Sequence, residues 1–366
     1  MSKVGILTFQ GAENCGASLQ AYALQSKIEE LNSNIKVSHI NYQNFEITNK
    51  KNPMVQRGVK NKLIRATKNL VFKKVIKSRS EAFNKFDEDY INLTKPYTHC
   101  DLRTINEDFD TFIVGSDQVF NTEITGFDEN FLLTFVTNRN KYAYAASFGD
   151  MKFYEDSKDM FNEHLSAFNG ITFREEVTTE TLDRELPGMK ISTVLDPTLL
   201  LDLNFWEEMF PKISTRPMED RYVVVYSVNP SEKTFAYAKN VAKQNGLKVV
   251  YLNTGYRPQP GVINIFDFGP TEFMQYIKNA DYTMVTSFHG LVFSIIFNRQ
   301  FAIETMKNSS AGSVRLTSLL NDLNIQHRDL SQSENPLTNS INYELVNERL
   351  ENLRNVSVAL LREWIH

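Results

Sequence analysis

What most limits the folds open to this chain is a regular alternation of short β-prone runs with helix-period runs along its whole length. β-prone runs fall at Val4–Phe9, Val37–Asn41, Thr111–Val114, Tyr142–Ser147, Gly170–Phe173 and Ser192–Leu195. They recur at Tyr222–Ser227, Lys248–Leu252, Val262–Ile265, Tyr282–Val285 and Ala302–Glu304. Helical patterns occupy Ala17–Leu31, Phe161–Phe168, Val177–Leu186, Glu232–Gly246, Pro270–Asn279, Gly290–Phe297, Val314–Leu323 and Tyr343–Trp364. Strands separated by helices pair in parallel, because a parallel neighbour needs a crossover of a dozen residues or more. With 366 residues the chain is too long for one ordinary core. The expectation is an α/β protein of two Rossmann-like, doubly wound domains around a cleft. Asp202–Asp220 carries two prolines and no strand pattern. It places the domains at 1–202 and 203–340. Residues 341–366 form a last helix expected to return to the first domain.

In such folds ligands gather beyond the carboxyl ends of the strands. Five of those ends are polar or glycine-bearing: "QGAENCGASLQAYAL" from Gln10, "GSDQVFN" from Gly115, "REE" from Arg174, "DPT" from Asp196 and "SFHG" from Ser287. They nominate Asn14, Gly16, Ser116, Asp117, Gln118, Ser287 and Gly290 as substrate-contacting candidates. Each has a plainer reading. Gly11 and Gly16 suit a sharp strand-to-helix turn and do not spell GxGxxG; Asn14 and Asp117 are competent N-caps; Asp196-Pro197 is a turn initiator. Arg174 ends an apolar strand where an unpaired guanidinium would be costly. It therefore calls either for an anionic ligand or for a salt bridge with Glu175, Glu176 or a carboxylate from the other domain. In "TSFHGLVFSIIF" Ser287 reads as the N-cap of a buried helix with Phe288, His289 and Gly290 in its first turn. A helix start attracts anions, and a histidine there supplies a proton donor; the plain alternative is a histidine bonded to a neighbouring loop.

Hydrophobic residues make up 42% and charged residues 23% of the chain. No apolar run approaches the eighteen or so residues of a membrane span, and "MSKVGILTFQG" is unlike a signal peptide, so a cytoplasmic protein is expected. Cys15 and Cys100 sit in no metal-ligand or CxxC spacing, and no metal or cofactor is called for. Cys15 has no assignable base. The net charge of −4 conceals a run, Lys50–Arg79, with eleven Lys and Arg and no acid. Val55, Val59, Leu63, Ala66 and Leu70 within it recur at helical spacing, which predicts a basic helical insertion at about 50–90. Its partner is an anionic membrane surface, a phosphorylated acceptor, or the protein body itself. Nucleic acid is not expected, since no aromatic-interleaved basic platform accompanies the run.

Taken in order, the segments "GILTFQGAENCGASLQAYAL", "IVGSDQVFN", "YAASFG", "ITFREE", "LDPTLLL", "SFHGLVFSIIFNRQF" and "SVRLTSLLNDL" resemble the polysaccharide pyruvyl transferase family over roughly residues 4–325. Cys15 stands where an aromatic is common, Phe120 where tryptophan is common and Gln10 where histidine is frequent. The resemblance implies a GT-B-like architecture and transfer of the enolpyruvyl carbons of phosphoenolpyruvate, as co-substrate, onto two hydroxyls of one sugar as a cyclic ketal. It implies that the family's essential histidine falls on His289 and its donor-binding arginine on Arg174, with Arg315 and Lys307 in a basic region after the histidine motif. Asp117 is then a candidate to orient or deprotonate the acceptor hydroxyl. The acceptor sugar, on a surface polysaccharide or its lipid-linked precursor, is the expected partner, with peripheral contact to an anionic membrane. Two other functions fit the architecture: a nucleotide-sugar glycosyltransferase and a non-catalytic polysaccharide-assembly protein.

Overall fold

The structure is a computed structural model; it describes residues 2–9, 11–44, 46–47, 62–227, 231–255, 257–305 and 310–365, without the side chains of 62–72 and 310–313. The chain divides into two compact units. The first comprises Met1–Ala66, Phe83–Leu200 and Glu351–His366, and the second Thr67–Ala82 and Leu201–Leu350.

The first unit is built on β1 (Ser2–Leu7), β2 (Ile35–His39), β3 (Thr111–Asp117), β4 (Asn140–Ala146), β5 (Gly170–Phe173) and β6 (Ile191–Thr193). They form one sheet in the order β2-β1-β3-β4-β5-β6 with every neighbouring pair parallel. Helices α1 (Cys15–Leu31), α3 (Lys158–Leu165) and α4 (Glu176–Glu185) supply crossovers; α2 (Lys62–Tyr90) lies between β2 and β3. Central strands are buried on both faces, which is why they read as apolar runs without alternation. Phe112, Val114, Ala143, Ile171 and Phe173 join Phe120, Phe148 and Phe161 in the core. The Phe148 ring meets that of Phe161 at 4.8 Å, nearly edge-on. Each such ring contributes about 1.5–3 kcal/mol through burial. The last helix, Tyr343–Ile365, stacks Trp364 on Tyr142 at 4.6 Å, and its Ser357 hydroxyl accepts the Leu195 N–H at 3.0 Å. Gly170 makes the fit possible: a Cβ there would stand 3.1 Å from the Trp364 indole nitrogen.

The second unit has β7 (Tyr222–Tyr226), β8 (Lys248–Leu252), β9 (Ile263–Ile265), β10 (Tyr282–Val285) and β11 (Gln300–Ile303), all parallel, in the order β11-β10-β7-β8-β9. Val223, Val225, Phe235, Tyr251, Met284 and Ala302 form its core. Asp202–Asp220, read as a domain switch with two prolines and no strand pattern, holds a helix, Leu203–Met209, capped by Asp202. The reason is Trp206, fully buried and 5.2 Å from the ring of Phe293: one large apolar anchor fixes a two-turn helix that periodicity over so few residues does not reveal.

The basic insertion contains helix α2. Its expected apolar stripe lies outside what the structure describes: Val55 and Val59 are not among the described residues, and the side chains of Leu63, Ala66 and Leu70 are not described. Lys73, Lys74 and Lys77 are exposed, but Arg79 is buried. Arg79 donates to the carbonyls of Asn253 (2.8 Å), Thr254 (2.9 Å) and Phe266 (2.8 and 2.6 Å), closing the loops after β8 and β9, and lies over the Phe268 ring. This cation is structural and leaves the surface charge of the run one smaller.

Candidate active site

Because both sheets are parallel, each unit gathers its strand C-termini along one edge. In the first unit the edge is polar, with Asn14 exposed, Asp117 and Gln118 half-buried, and Gly16, Ser116 and Arg174 buried. Asn14 caps α1, accepting from Gly16 N–H at 2.9 Å and Ala17 N–H at 3.4 Å, with Gly16 itself buried. The last residues of β3 depart from regular strand geometry. Gly115 has φ of 109° and Asp117 has φ of 75°. A Cβ on Gly115 would approach the Tyr144 carbonyl oxygen to 2.3 Å, so only glycine allows β3 and β4 to stay paired here. Ser116 is fully buried and donates to Ala145 O (3.2 Å) and Asp196 Oδ2 (3.3 Å). Gln118 Oε1 accepts from Asn121 at 2.8 Å.

Arg174, at the end of β5, is held by two carboxylates. Its Nη1 donates to Asp196 Oδ2 at 2.8 Å and its Nη2 to Asp117 Oδ1 at 3.1 Å. Side-chain exposure is 2% for Arg174, 0% for Asp196 and 13% for Asp117. Burial alone would lower the arginine pKa, but attraction to Asp117, Asp196 and Glu175 outweighs it and raises the group above its ordinary value. The sequence offered Glu175, Glu176 or a carboxylate from the other domain as salt-bridge partners; the structure bonds Arg174 to Asp117 and Asp196 of its own unit, with Glu175 adding attraction. Asp196 looks in the sequence like a turn residue. It does initiate the turn, accepting from Thr198 N–H (3.0 Å) and Oγ1 (2.6 Å), while its other oxygen anchors the arginine. Its position at a strand end was the only sequence signal for that second task.

In the second unit the edge carries the histidine. Ser287 is the N-cap of helix α8 (Phe288–Ile296), accepting from Gly290 N–H at 3.1 Å. Gly290 is buried, and a Cβ on it would stand 2.8 Å from Ser287 Oγ and 3.1 Å from the Tyr226 ring. His289 is half-buried in the first turn, its ring 5.4 Å from that of Phe288 and nearly perpendicular to it. Arg315, buried on helix α9 (Ser310–Asp322), sets its guanidinium 5.6 Å from the centre of the Phe288 ring. The sequence named both Arg315 and His289 but not the phenylalanine that links them. Lys307 lies outside the described residues. Asn14, Gly16, Ser116, Asp117, Gln118 and Arg174 thus share the first unit's edge, and Ser287, His289, Gly290 and Arg315 the second's.

Residues 14–304 match the profile of the family described as Polysaccharide pyruvyl transferase. The chain belongs to the polysaccharide pyruvyl transferase family. Among curated proteins nothing matches. Among solved structures, this pyruvyl transferase family member is similar to the UDP-GlcNAc 2-epimerase of Methanocaldococcus jannaschii, with a TM-score of 0.51 and 12% identity over 97% of this chain and 93% of that one. The UDP-GlcNAc 2-epimerase of Neisseria meningitidis bound to UDP-GlcNAc gives 0.46 and 11% over 98% and 100%. The glycosyltransferase SnogD of Streptomyces nogalater gives 0.44 and 10% over 100% and 99%. At such identities the likeness is one of fold: a two-domain α/β chain, as the alternation of its elements predicts, of the GT-B type that the family resemblance implies.

Proposed function

We propose that this pyruvyl transferase family member moves the enolpyruvyl carbons of phosphoenolpyruvate onto two hydroxyls of one sugar in a surface polysaccharide or its lipid-linked precursor, closing a cyclic ketal. The observation that carries the donor side is the start of α8. One helical turn there combines backbone N–H groups, a capping serine and His289, and Arg315 adds a guanidinium across the ring of Phe288. Phosphoenolpyruvate presents a phosphate and a carboxylate, the groups that a helix start and a guanidinium recognise.

The reaction then divides between side chains. His289 gives a proton to the methylene carbon, which becomes a methyl group and leaves the central carbon open to attack. A sugar hydroxyl forms a C–O bond to that carbon and loses its proton to a base, assigned to Asp117. The bond from the central carbon to the phosphate oxygen breaks and phosphate departs with the electron pair. The second hydroxyl adds to the same carbon and closes the ring. Of the two hydroxyl protons, one balances the proton gained by the methyl group and the other leaves with phosphate. Arg315 offsets donor charge; Asn14, Gly16, Ser116 and Gln118 shape the acceptor side, and Lys307 is a further candidate for donor charge. The scheme uses no cofactor beyond the co-substrate. A lipid-linked acceptor would bring the protein to the cytoplasmic membrane face, where the exposed Lys73, Lys74 and Lys77 are cations available to anionic lipid.

Ligand-dependent thermal stability tests the donor. Phosphoenolpyruvate at about 100 times its Kd should stabilise the protein by about 2.7 kcal/mol, while UDP and GDP leave the midpoint unchanged. Stabilisation by a nucleoside diphosphate and none by phosphoenolpyruvate would favour nucleotide-sugar transfer instead. Stabilisation by phosphoenolpyruvate without phosphate release on any galactoside would favour the non-catalytic reading.

A further inference from the structure

We propose that Arg174 is a positioning residue that braces Asp117 as the acceptor base and is not a ligand of the donor; this rests on the pyruvyl-transfer reading above. The geometry of the brace is specific. The two terminal nitrogens of Arg174 go to two different carboxylates, Asp196 on one side and Asp117 on the other. Asp196 is itself immobilised by Thr198 and Ser116, so the arginine is anchored at one end and steers at the other. Asp117 is also pinned from its own chain, its Oδ1 accepting from Gln118 N–H at 2.9 Å.

Of the three bonded charges only Asp117 has appreciable contact with solvent, 13% against 2% and 0%. A donor anion reaching Arg174 would have to enter at a depth where solvent barely enters. It would also join a cluster in which one cation already serves Asp117, Asp196 and the buried Glu175. Like charges at such spacing in a partly desolvated site repel strongly. A neutral sugar hydroxyl meets no such penalty, and it gains a hydrogen bond to the exposed member. The left-handed backbone of Asp117 points the same way. A non-glycine residue held at φ of 75° where a buried strand ends is costly to keep, and such strain collects where a side chain must be aimed.

The groups around Asp117 that could titrate or carry charge come from several elements: Arg174 and Glu175 after β5, Asp196 after β6 and Tyr144 of β4, whose phenol burial and Asp196 push well above its ordinary pKa. The β1–α1 side contributes neutral groups, Thr8 donating to Ser116 O at 2.9 Å and Gln20 donating to Thr8 at 3.0 Å. In the proposed step the acceptor O–H bond breaks, its electron pair forms the new O–C bond, and the proton comes to rest on Asp117.

Two measurements on the full chain separate brace from donor ligand. Carbon-13 carboxyl titration, assigned with Asp117→Asn, follows the Asp117 midpoint, and calorimetry gives phosphoenolpyruvate affinity. Arg174→Gln should raise the Asp117 midpoint by about one pH unit or more, because its paired cation is gone. Donor affinity should stay within about threefold of the parent, and the acidic limb of the kcat profile should move up with the carboxyl. A fall in donor affinity of about tenfold or more with an unmoved midpoint would place the donor on Arg174 and overturn the proposal. If Arg174→Gln does not fold, the near-isosteric Asp196→Asn decides: loss of a neighbouring negative charge should lower the Asp117 midpoint, and an unmoved midpoint contradicts the brace. A parent that binds no phosphoenolpyruvate would refute the pyruvyl-transfer reading alone, and the carboxyl midpoints would still decide for or against the brace.

Discussion

Arg315 holds its guanidinium over the ring of Phe288, 5.6 Å from its centre, which fixes a buried positive charge beside the turn that carries His289. The pairing makes the ring a scaffold for the charge: an arginine stacked on an aromatic face loses less freedom when it binds an anion. Arg315→Gln should therefore weaken phosphoenolpyruvate binding by roughly 10–100-fold, the loss expected for a charge-assisted hydrogen bond of about 1.5–3 kcal/mol. Phe288→Leu should weaken it less, in the same direction. Isothermal titration of both variants, with melting temperature as the control for folding, checks the ranking.

The α8 turn tolerates little change. Ser287→Ala removes the cap of Gly290 N–H and should cost about 1 kcal/mol. Gly290→Ala places a methyl group against Ser287 Oγ, Val285 and Tyr226 at 2.8–3.1 Å, so the cap must move. Thermal unfolding should show the glycine variant to be the less stable of the two, and donor affinity should fall with it.

Arg79 predicts a large structural effect. Its fork satisfies carbonyls of Asn253, Thr254 and Phe266 together. Lysine keeps the charge but cannot reach three carbonyls with a planar fork. Arg79→Lys and Arg79→Ala should both destabilise the protein, the alanine variant by on the order of 3 kcal/mol. Denaturant titration would show whether the lysine rescues more than a minor part.

His39 sets an acid limit. Its ring is fully buried at the end of β2, and burial lowers its pKa to about 4. The unfolded chain takes up a proton near the ordinary value of about 6.5, while the folded protein resists it. Stability is therefore undiminished above about pH 6.5 and falls as pH drops toward 4, by a total on the order of 3 kcal/mol. His39→Gln, which does not titrate, should remove that part of the slope between pH 6.5 and 4 even if it lowers stability at every pH. An unchanged slope would assign the acid sensitivity elsewhere.

The eleven strands among the described residues were legible because each is a short apolar β-prone run between helix-period segments, and the structure places every one within a few residues of the expected position. Strand order within each sheet was not legible, since it depends on which neighbours a crossover reaches. The helix at Leu203–Met209 escaped because a single tryptophan, not a repeat, holds it. At the site, the Ser287 cap was readable from local rules and is observed. The pairing of Arg174 with Asp117 and Asp196 was not readable, since it joins residues 57 and 22 positions apart through β-sheet packing. The link between Arg315 and His289 through Phe288 was hidden for the same reason: a stacking partner leaves no spacing signature.

The most direct test of the account is phosphate release from phosphoenolpyruvate in the presence of candidate galactoside acceptors, compared between the parent and His289→Gln. Melting temperature and donor affinity are measured on the same preparations. The parent should release phosphate in step with a product heavier by one ketal-linked pyruvate. The variant should fold, keep most of its donor affinity and lose turnover by ~10²–10⁴-fold, as expected when a general acid is removed. A folded His289→Gln protein that turns over at close to the parent rate would contradict the assignment of the proton donor.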